Sequence, residues 1–156
     1  MITAVGDGNL LMNFTHVAHD CRLGNRNILA NGAQLGGHVI LEDYVMVGAL
    51  SGIHQFVRVG ESAILGGGSM VSQDVPPYCS AAGDRARLHG LNLLGLKRRG
   101  FDDEAVRELK RAYRLMFQSK LKVAEAVVRI RAEVARSRAV DHFVAFVEGS
   151  ERGVCR

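Results

Sequence analysis

From Val5 to Val71 an aliphatic residue returns at every sixth position, giving twelve uninterrupted hexapeptides that end at Pro76. The residue after it is most often Gly or Ala. The fifth of each six is small or modest in size, as at Asn9, Cys21, Ala33, Ser51, Ala63 and Ser69. A fixed period of this kind predicts a parallel β-helix, in which short strands stack coil on coil and one aliphatic residue per strand fills the axis. Three hexads close one triangular coil, so residues 1–76 form about four coils. Pro76 and Pro77 end the repeat, because proline cannot donate to a strand ladder. Residues 77–100 read as an irregular crossover. From Asp102 the period becomes helical: Asp102 and Asp103 supply an N-cap, and Val106, Leu109, Ala112, Tyr113, Met116 and Phe117 share one face. Two further helices follow, one through Val123 to Val134 and one from about Ala139 to Glu148, so 101–156 is a small helical domain.

With eighteen residues per coil, residues eighteen apart lie above one another, about 4.8 Å per coil. Subtracting multiples of eighteen leaves His19 in column 19, joined there by Gly37 and Gln55. His38 falls in column 20, His54 in column 18 and His16 in column 16. Four of the six histidines thus converge on one strip of the prism. On this strip His19 is suited to act as a general base near neutral pH, with Asp20 fixing its tautomer and stabilising the imidazolium. Gly37 leaves a backbone N–H open beside that base, where it can stabilise an oxyanion. His38, His54 and Gln55 supply hydrogen bonds to a polar substrate. Clustered imidazoles also admit a zinc centre, as in a hydratase, but the staggered columns favour a metal-free site. Gly66, Gly67 and Gly68 bend the last full coil and can open a groove for an extended apolar chain. The run Lys97, Arg98, Arg99 is either solvated surface or a grip on phosphate.

Composition narrows the partners. A hydrophobic fraction of 47% with 23% charged residues is that of an ordinary globular protein. A net charge of +4 favours acidic partners without singling out nucleic acid, and no interleaving of aromatic and basic residues points to RNA or single strands. Cys21, Cys79 and Cys155 lack disulfide or zinc spacing and read as reduced thiols of a cytoplasmic protein, with Cys21 packed inside the β-helix. No charged leader precedes an apolar block, and no apolar run is long enough to span a membrane. The first hexad begins almost at once without a capping repeat, so the chain reads as the C-terminal part of a longer β-helix, or as one whose end another element covers.

The runs NLLMNFTHVAHDCRLGNRNILANGAQLGGHV, GIHQFVRVG, QDVPPY and GLNLLGLKRRGF resemble the bacterial UDP-N-acetylglucosamine acyltransferases that begin lipid A synthesis. The similarity extends from Val5 to Arg156. Hexads alone are shared with serine and sugar acyltransferases, so the specific part is the combination of HVAHD, GHV, HQF and GLKRRGF.

The resemblance implies a left-handed parallel β-helix followed by a C-terminal helical domain, and a homotrimer with sites between subunits. It implies transfer of a 3-hydroxyacyl chain from acyl carrier protein to the 3-hydroxyl of UDP-N-acetylglucosamine, with no metal or other cofactor beyond the phosphopantetheine of the carrier. His19 then matches the general base, Asp20 its orienting carboxylate and Gly37 the oxyanion donor. His16, His38, His54 and Gln55 match sugar, phosphate and thioester contacts. Asn92, Arg98 and Arg99 match the nucleotide-binding segment, and Gly67 the position that gauges acyl length. Two features depart from the family pattern. Further coils precede the equivalent of Val5 in family members, and Leu94 stands where they carry an acidic residue. A non-catalytic trimeric scaffold and a zinc hydratase are the other readings, and the motifs do not separate a 3-hydroxyl from a 3-amino acceptor.

Overall fold

The computed structural model describes residues 2–156; Met1, counted in the first unit above, lies outside them. Twelve two-residue strands, β1 (Ala4–Val5) to β12 (Met70–Val71), follow one another at intervals of six residues. They stack into three parallel sheets: β1-β4-β7-β10, β2-β5-β8-β11 with two later strands, and β3-β6-β9-β12. Every pairing joins residues eighteen apart, such as Arg22 with Ile40 and Gln34 with Gly52. The parallel β-helix expected from the hexads is therefore present with its register.

The repeat fills the interior with two residues per hexad rather than one. Besides the first position (Leu29, Leu35, Val47), the fifth is also fully enclosed, including Cys21, Ala33, Val39 and Val57, each 0% exposed. That is why the fifth residue stays small: it shares a narrow axis with the aliphatic side chain of the same strand. The fourth position makes the corner. Asp20, His38 and Phe56 on one edge, Gly8, Arg26, Tyr44 and Ser62 on a second, and Phe14, Gly32, Leu50 and Gly68 on the third all have positive φ. Left-handed residues are uncommon outside glycine, and their recurrence every six residues is what folds the ribbon into a triangle.

Between Val71 and Val75, just ahead of the prolines, the period shortens from eighteen to sixteen. Val75 bridges to Val59, and β13 (Cys79–Ala82) continues the second sheet with Ser80 opposite Ile64. The segment expected as an irregular crossover thus holds β13, its antiparallel partner β14 (Arg87–Leu91) and a short helix α1 (Leu93–Arg98). Prolines remove donors, so the ladder re-forms on the residues around them. Three helices follow: α2 (Asp103–Phe117), α3 (Val123–Glu133) and α4 (Arg138–Glu148). Asp102 caps α2, its carboxylate accepting from the Ala105 N–H, as the sequence suggested.

The helices enclose a second core around Leu109, Met116, Ile130, Phe143 and Phe146, which reaches Tyr78 and Cys79. Polar contacts fix it to the β-helix. His142 Nε2 lies 2.6 Å from Glu42 Oε2, and this bond, ahead of the opposing effect of burial, raises the imidazole pKa. Arg58 donates to the Gly149 carbonyl at 3.1 Å while lying over the Phe146 ring. The last residues return as well: Gly153 O and Cys155 N–H bond the backbone of Asp74, and Val154 bridges to it. No helix among the described residues is long and apolar enough to cross a membrane.

Candidate active site

His19 and Asp20 are the third and fourth residues of their hexad. In an extended strand adjacent side chains diverge, but the left-handed φ of 61° at Asp20 turns the corner and brings both to the same side. His19 Nδ1 then lies 2.9 Å from Asp20 Oδ2. The hydrogen bond from His19 holds the Asp20 pKa below the ordinary carboxylate value, against the opposing effect of burial. An ionised carboxylate only accepts, so the His19 proton resides on Nδ1 and the lone pair on Nε2. The imidazole is 74% exposed, leaving Nε2 open to a substrate.

One coil on, Gly37 lies against that lone pair. A Cβ built on Gly37 would meet Nε2 and Cε1 of His19 at 2.7 Å, so only glycine allows the ring this position. The Gly37 N–H has no acceptor among the described residues, while its carbonyl accepts from Phe56 N–H at 3.0 Å. His38 stands edge-on to His19 with ring centroids 5.2 Å apart and stacks on Phe56 at 4.6 Å. Its Nε2 is 3.7 Å from Asp20 Oδ2, too far for a hydrogen bond and close enough for charge attraction. The donor atoms of His19, Asp20 and His38 all lie within 4.8 Å of one another. The staggered columns do not keep them apart, so these three are the residues that could hold a metal.

Beside the corner runs a groove of about 790 Å³, floored by Leu35, Ile53 and Val71 and edged by His16, His54 and Arg152. His16, His19, His38, His54 and Gln55 thus occupy one edge of the prism and the face next to it. Sequence reasoning missed Phe56 and Arg152. Phe56 was within reach of the column rule, since it lies eighteen residues from His38. Arg152 comes from the C-terminal tail, which carries no period.

The remaining expected site residues lie elsewhere. Asn92 caps α1, its Oδ1 accepting from the Gly95 N–H, and its Nδ2 donates to Ser62 O. Arg99 bonds Glu61 Oε1 at 2.6 Å and Ser62 Oγ, with its guanidinium 3.7 Å from the Tyr44 ring centroid. Both attach to the second edge. Arg98 stays exposed in the last turn of α1. Gly67 lies on the third edge, where an added Cβ would meet Ala49 O at 3.4 Å. Leu94 is 60% exposed.

Glu61 is buried and also receives Arg138 from α4 at 3.2 Å, so one carboxylate ties α1 and α4 to the β-helix. Glu61→Ala is expected to lower unfolding stability by about 2–3 kcal/mol, less than for a fully buried pair because Arg138 remains solvated. The urea midpoint measures it, and an unchanged midpoint would mean that the pair holds nothing together.

A β-helix edge with a His–Asp pair leaves the chemistry open between several transferases, but the helical half narrows it. The family model described as "Udp N-acetylglucosamine O-acyltransferase; Domain 2" matches residues 74–155, more than half of the chain. The chain belongs to this acyltransferase family. A second model, the bacterial transferase hexapeptide, matches residues 3–37. The acyl-[acyl-carrier-protein]--UDP-N-acetylglucosamine O-acyltransferase of Anaeromyxobacter dehalogenans is 46% identical over 155 residues, covering 99% of this chain. The UDP-N-acetylglucosamine O-acyltransferase structure from Moraxella catarrhalis superposes with a TM-score of 0.95 at 37% identity over 99% of the chain. Serine acetyltransferase of Neisseria gonorrhoeae matches over 58% of the chain, with a TM-score of 0.56. The chain spans 60% of the length of both the Anaeromyxobacter relative and the Moraxella protein.

Proposed function

We propose that the chain forms the catalytic part of an enzyme transferring a 3-hydroxyacyl group from acyl carrier protein to the 3-hydroxyl of UDP-N-acetylglucosamine, the first step of lipid A synthesis. The observation that carries this reading is the His19–Asp20 pair with its free Nε2 set against Gly37. His19 Nε2 takes the sugar hydroxyl proton as the oxygen attacks the thioester carbonyl. Asp20 stabilises the imidazolium, and the unpartnered Gly37 N–H donates to the tetrahedral oxyanion. Collapse breaks the C–S bond, and His19 returns its proton to the departing pantetheine thiol. His16, His38, His54 and Gln55 orient the two substrates along the groove. The step needs no metal or cofactor beyond the carrier's own arm.

The nucleotide contacts of Asn92, Arg98 and Arg99 and the length-gauging role of Gly67 belong to the same reading, although they sit on other edges than His19. A trimer brings different edges of neighbouring copies together. Supporting it, the outward residues of the four hexad strands of the second sheet are apolar, Leu10, Ile28, Met46 and Ile64, with Leu10 and Met46 exposed. Of the three, Arg98 has its charge free for a pyrophosphate, whereas Arg99 acts from a fixed ion pair. Three buried free thiols favour a reducing compartment, the cytoplasm.

The proximity of His19, Asp20 and His38 favours one second reading, a metal-dependent enzyme. Transfer from 3-hydroxyacyl carrier protein to UDP-N-acetylglucosamine, assayed with and without EDTA, separates them. The expected result is turnover indifferent to chelator. Turnover abolished by EDTA and restored by zinc would move the chemistry to a metal, and no turnover from a folded trimer would make this chain, as it stands, a scaffold or an incomplete enzyme.

A further inference from the structure

Residues 149–156 do more than close the end of the β-helix. Gly153 O and Cys155 N–H hold this tail against Asp74, and Ser150 Oγ donates to Asp74 Oδ2 at 2.7 Å. Between these anchors the Arg152 side chain turns into the histidine groove. Its Nε–H donates to the Ser72 carbonyl at 2.7 Å, and its Nη2 lies 2.8 Å from His54 Nδ1. That nitrogen also lies 3.1 Å from the Gln55 carbonyl.

These two neighbours ask opposite things of the imidazole. A carbonyl only accepts, so it favours a proton on Nδ1; a guanidinium only donates, so it requires a lone pair there. The arginine contact is the shorter and charge-assisted, and such bonds are the stronger class. We propose that Arg152 is a positioning residue that selects the His54 tautomer, keeping Nδ1 unprotonated so that Nε2–H is presented as a donor. Without Arg152 the Gln55 carbonyl takes the Nδ1 proton, and Nε2 becomes an acceptor. One residue in the tail thereby reverses the polarity of a groove side chain on the face next to His19. The groove then offers a hydrogen-bond donor to an anionic or carbonyl oxygen of a bound substrate. The fixed guanidinium beside it adds a positive charge suited to the same oxygen chemistry.

The test is ¹⁵N NMR of histidine-labelled protein at about pH 8, above the ordinary imidazole pKa, with the His54 signals assigned through His54→Gln. The parent is expected to carry the His54 proton on Nε2, Arg152→Met to carry it on Nδ1, and Arg152→Lys, which still only donates, to keep it on Nε2. A proton on Nδ1 in the parent, or a tautomer unchanged in Arg152→Met, would overturn the proposal. This readout does not depend on the acyltransferase reading. The kinetic consequence does rest on it: Arg152→Met is expected to lose about tenfold in kcat/KM, the effect of one lost hydrogen bond to a charged or developing oxygen, with Arg152→Lys recovering most of it. A tautomer that reverses with no change in kcat/KM would remove His54 as a donor to the substrates.

Discussion

His19→Ala is expected to lower kcat for acyl transfer by about 10³-fold, the middle of the range for removing a positioned general base. The imidazole is 74% exposed and takes no part in either hydrophobic core, so thermal stability should be unchanged. Asp20→Asn is expected to follow with a smaller loss of about 10²-fold. Its amide can still occupy the corner but no longer stabilises the imidazolium. His38→Ala should cost least, because at 3.7 Å from Asp20 it makes no hydrogen bond to the pair and is itself held by its stack on Phe56. Steady-state kinetics with saturating UDP-N-acetylglucosamine give this order. A His19→Ala protein that retains a tenth or more of the parent rate would remove His19 as the base.

The repeat made the β-helix legible because its cause is local. A side chain must point inward at fixed intervals, and the interval appears directly as Val, Leu or Ile every six residues. The same arithmetic places His19, Gly37 and Gln55 on one edge, since pairing at eighteen residues holds throughout the hexads. It reads position but not conformation. Asp20 and His38 are of types that tolerate positive φ, but Phe56 on the same corner is not, so the left-handed corner is imposed by coil closure rather than by residue preference alone.

Beyond Pro76 the hexad arithmetic stops; helical periodicity still locates α2 to α4, but no repeat places their side chains against the β-helix. Asn92, a nucleotide contact on the resemblance, also lies just before a helix and three residues ahead of Gly95, the position of an N-cap acceptor, and its side chain fills that role here. Arg99, a pyrophosphate contact on the resemblance, pairs with Glu61, 38 residues away, which no local pattern links to it. Arg152 is 98 residues from His54, and only the docking of the tail on Asp74 brings them together. A motif assigns such residues a chemistry; only tertiary contacts decide whether their polar atoms are already engaged.

Gly36 and Gly37 are adjacent, and their alanine variants should fail in different ways. A Cβ on Gly36 would meet Gln55 N at 2.7 Å and Ile53 O at 3.2 Å, backbone atoms of the next coil, the second of them already held by the Gly36 N–H in the sheet ladder. Nothing there can move cheaply, so Gly36→Ala is expected to lose about 1–3 kcal/mol of unfolding stability, the cost of overpacking. A Cβ on Gly37 would meet the far end of an exposed ring instead. The φ of Gly37 is not in the left-handed region, so alanine is allowed by the backbone. The ring can swing away, but it then leaves both the Asp20 carboxylate and the place where the Gly37 N–H faces the oxyanion. Gly37→Ala should therefore unfold within about 0.5 kcal/mol of the parent. Its kcat should fall by about 10²- to 10³-fold, because the displaced imidazole no longer faces the substrate hydroxyl as a general base. Urea unfolding and initial rates on the two variants decide it. Equal losses of stability would make Gly37 a packing glycine like its neighbour and would remove its proposed part in placing His19.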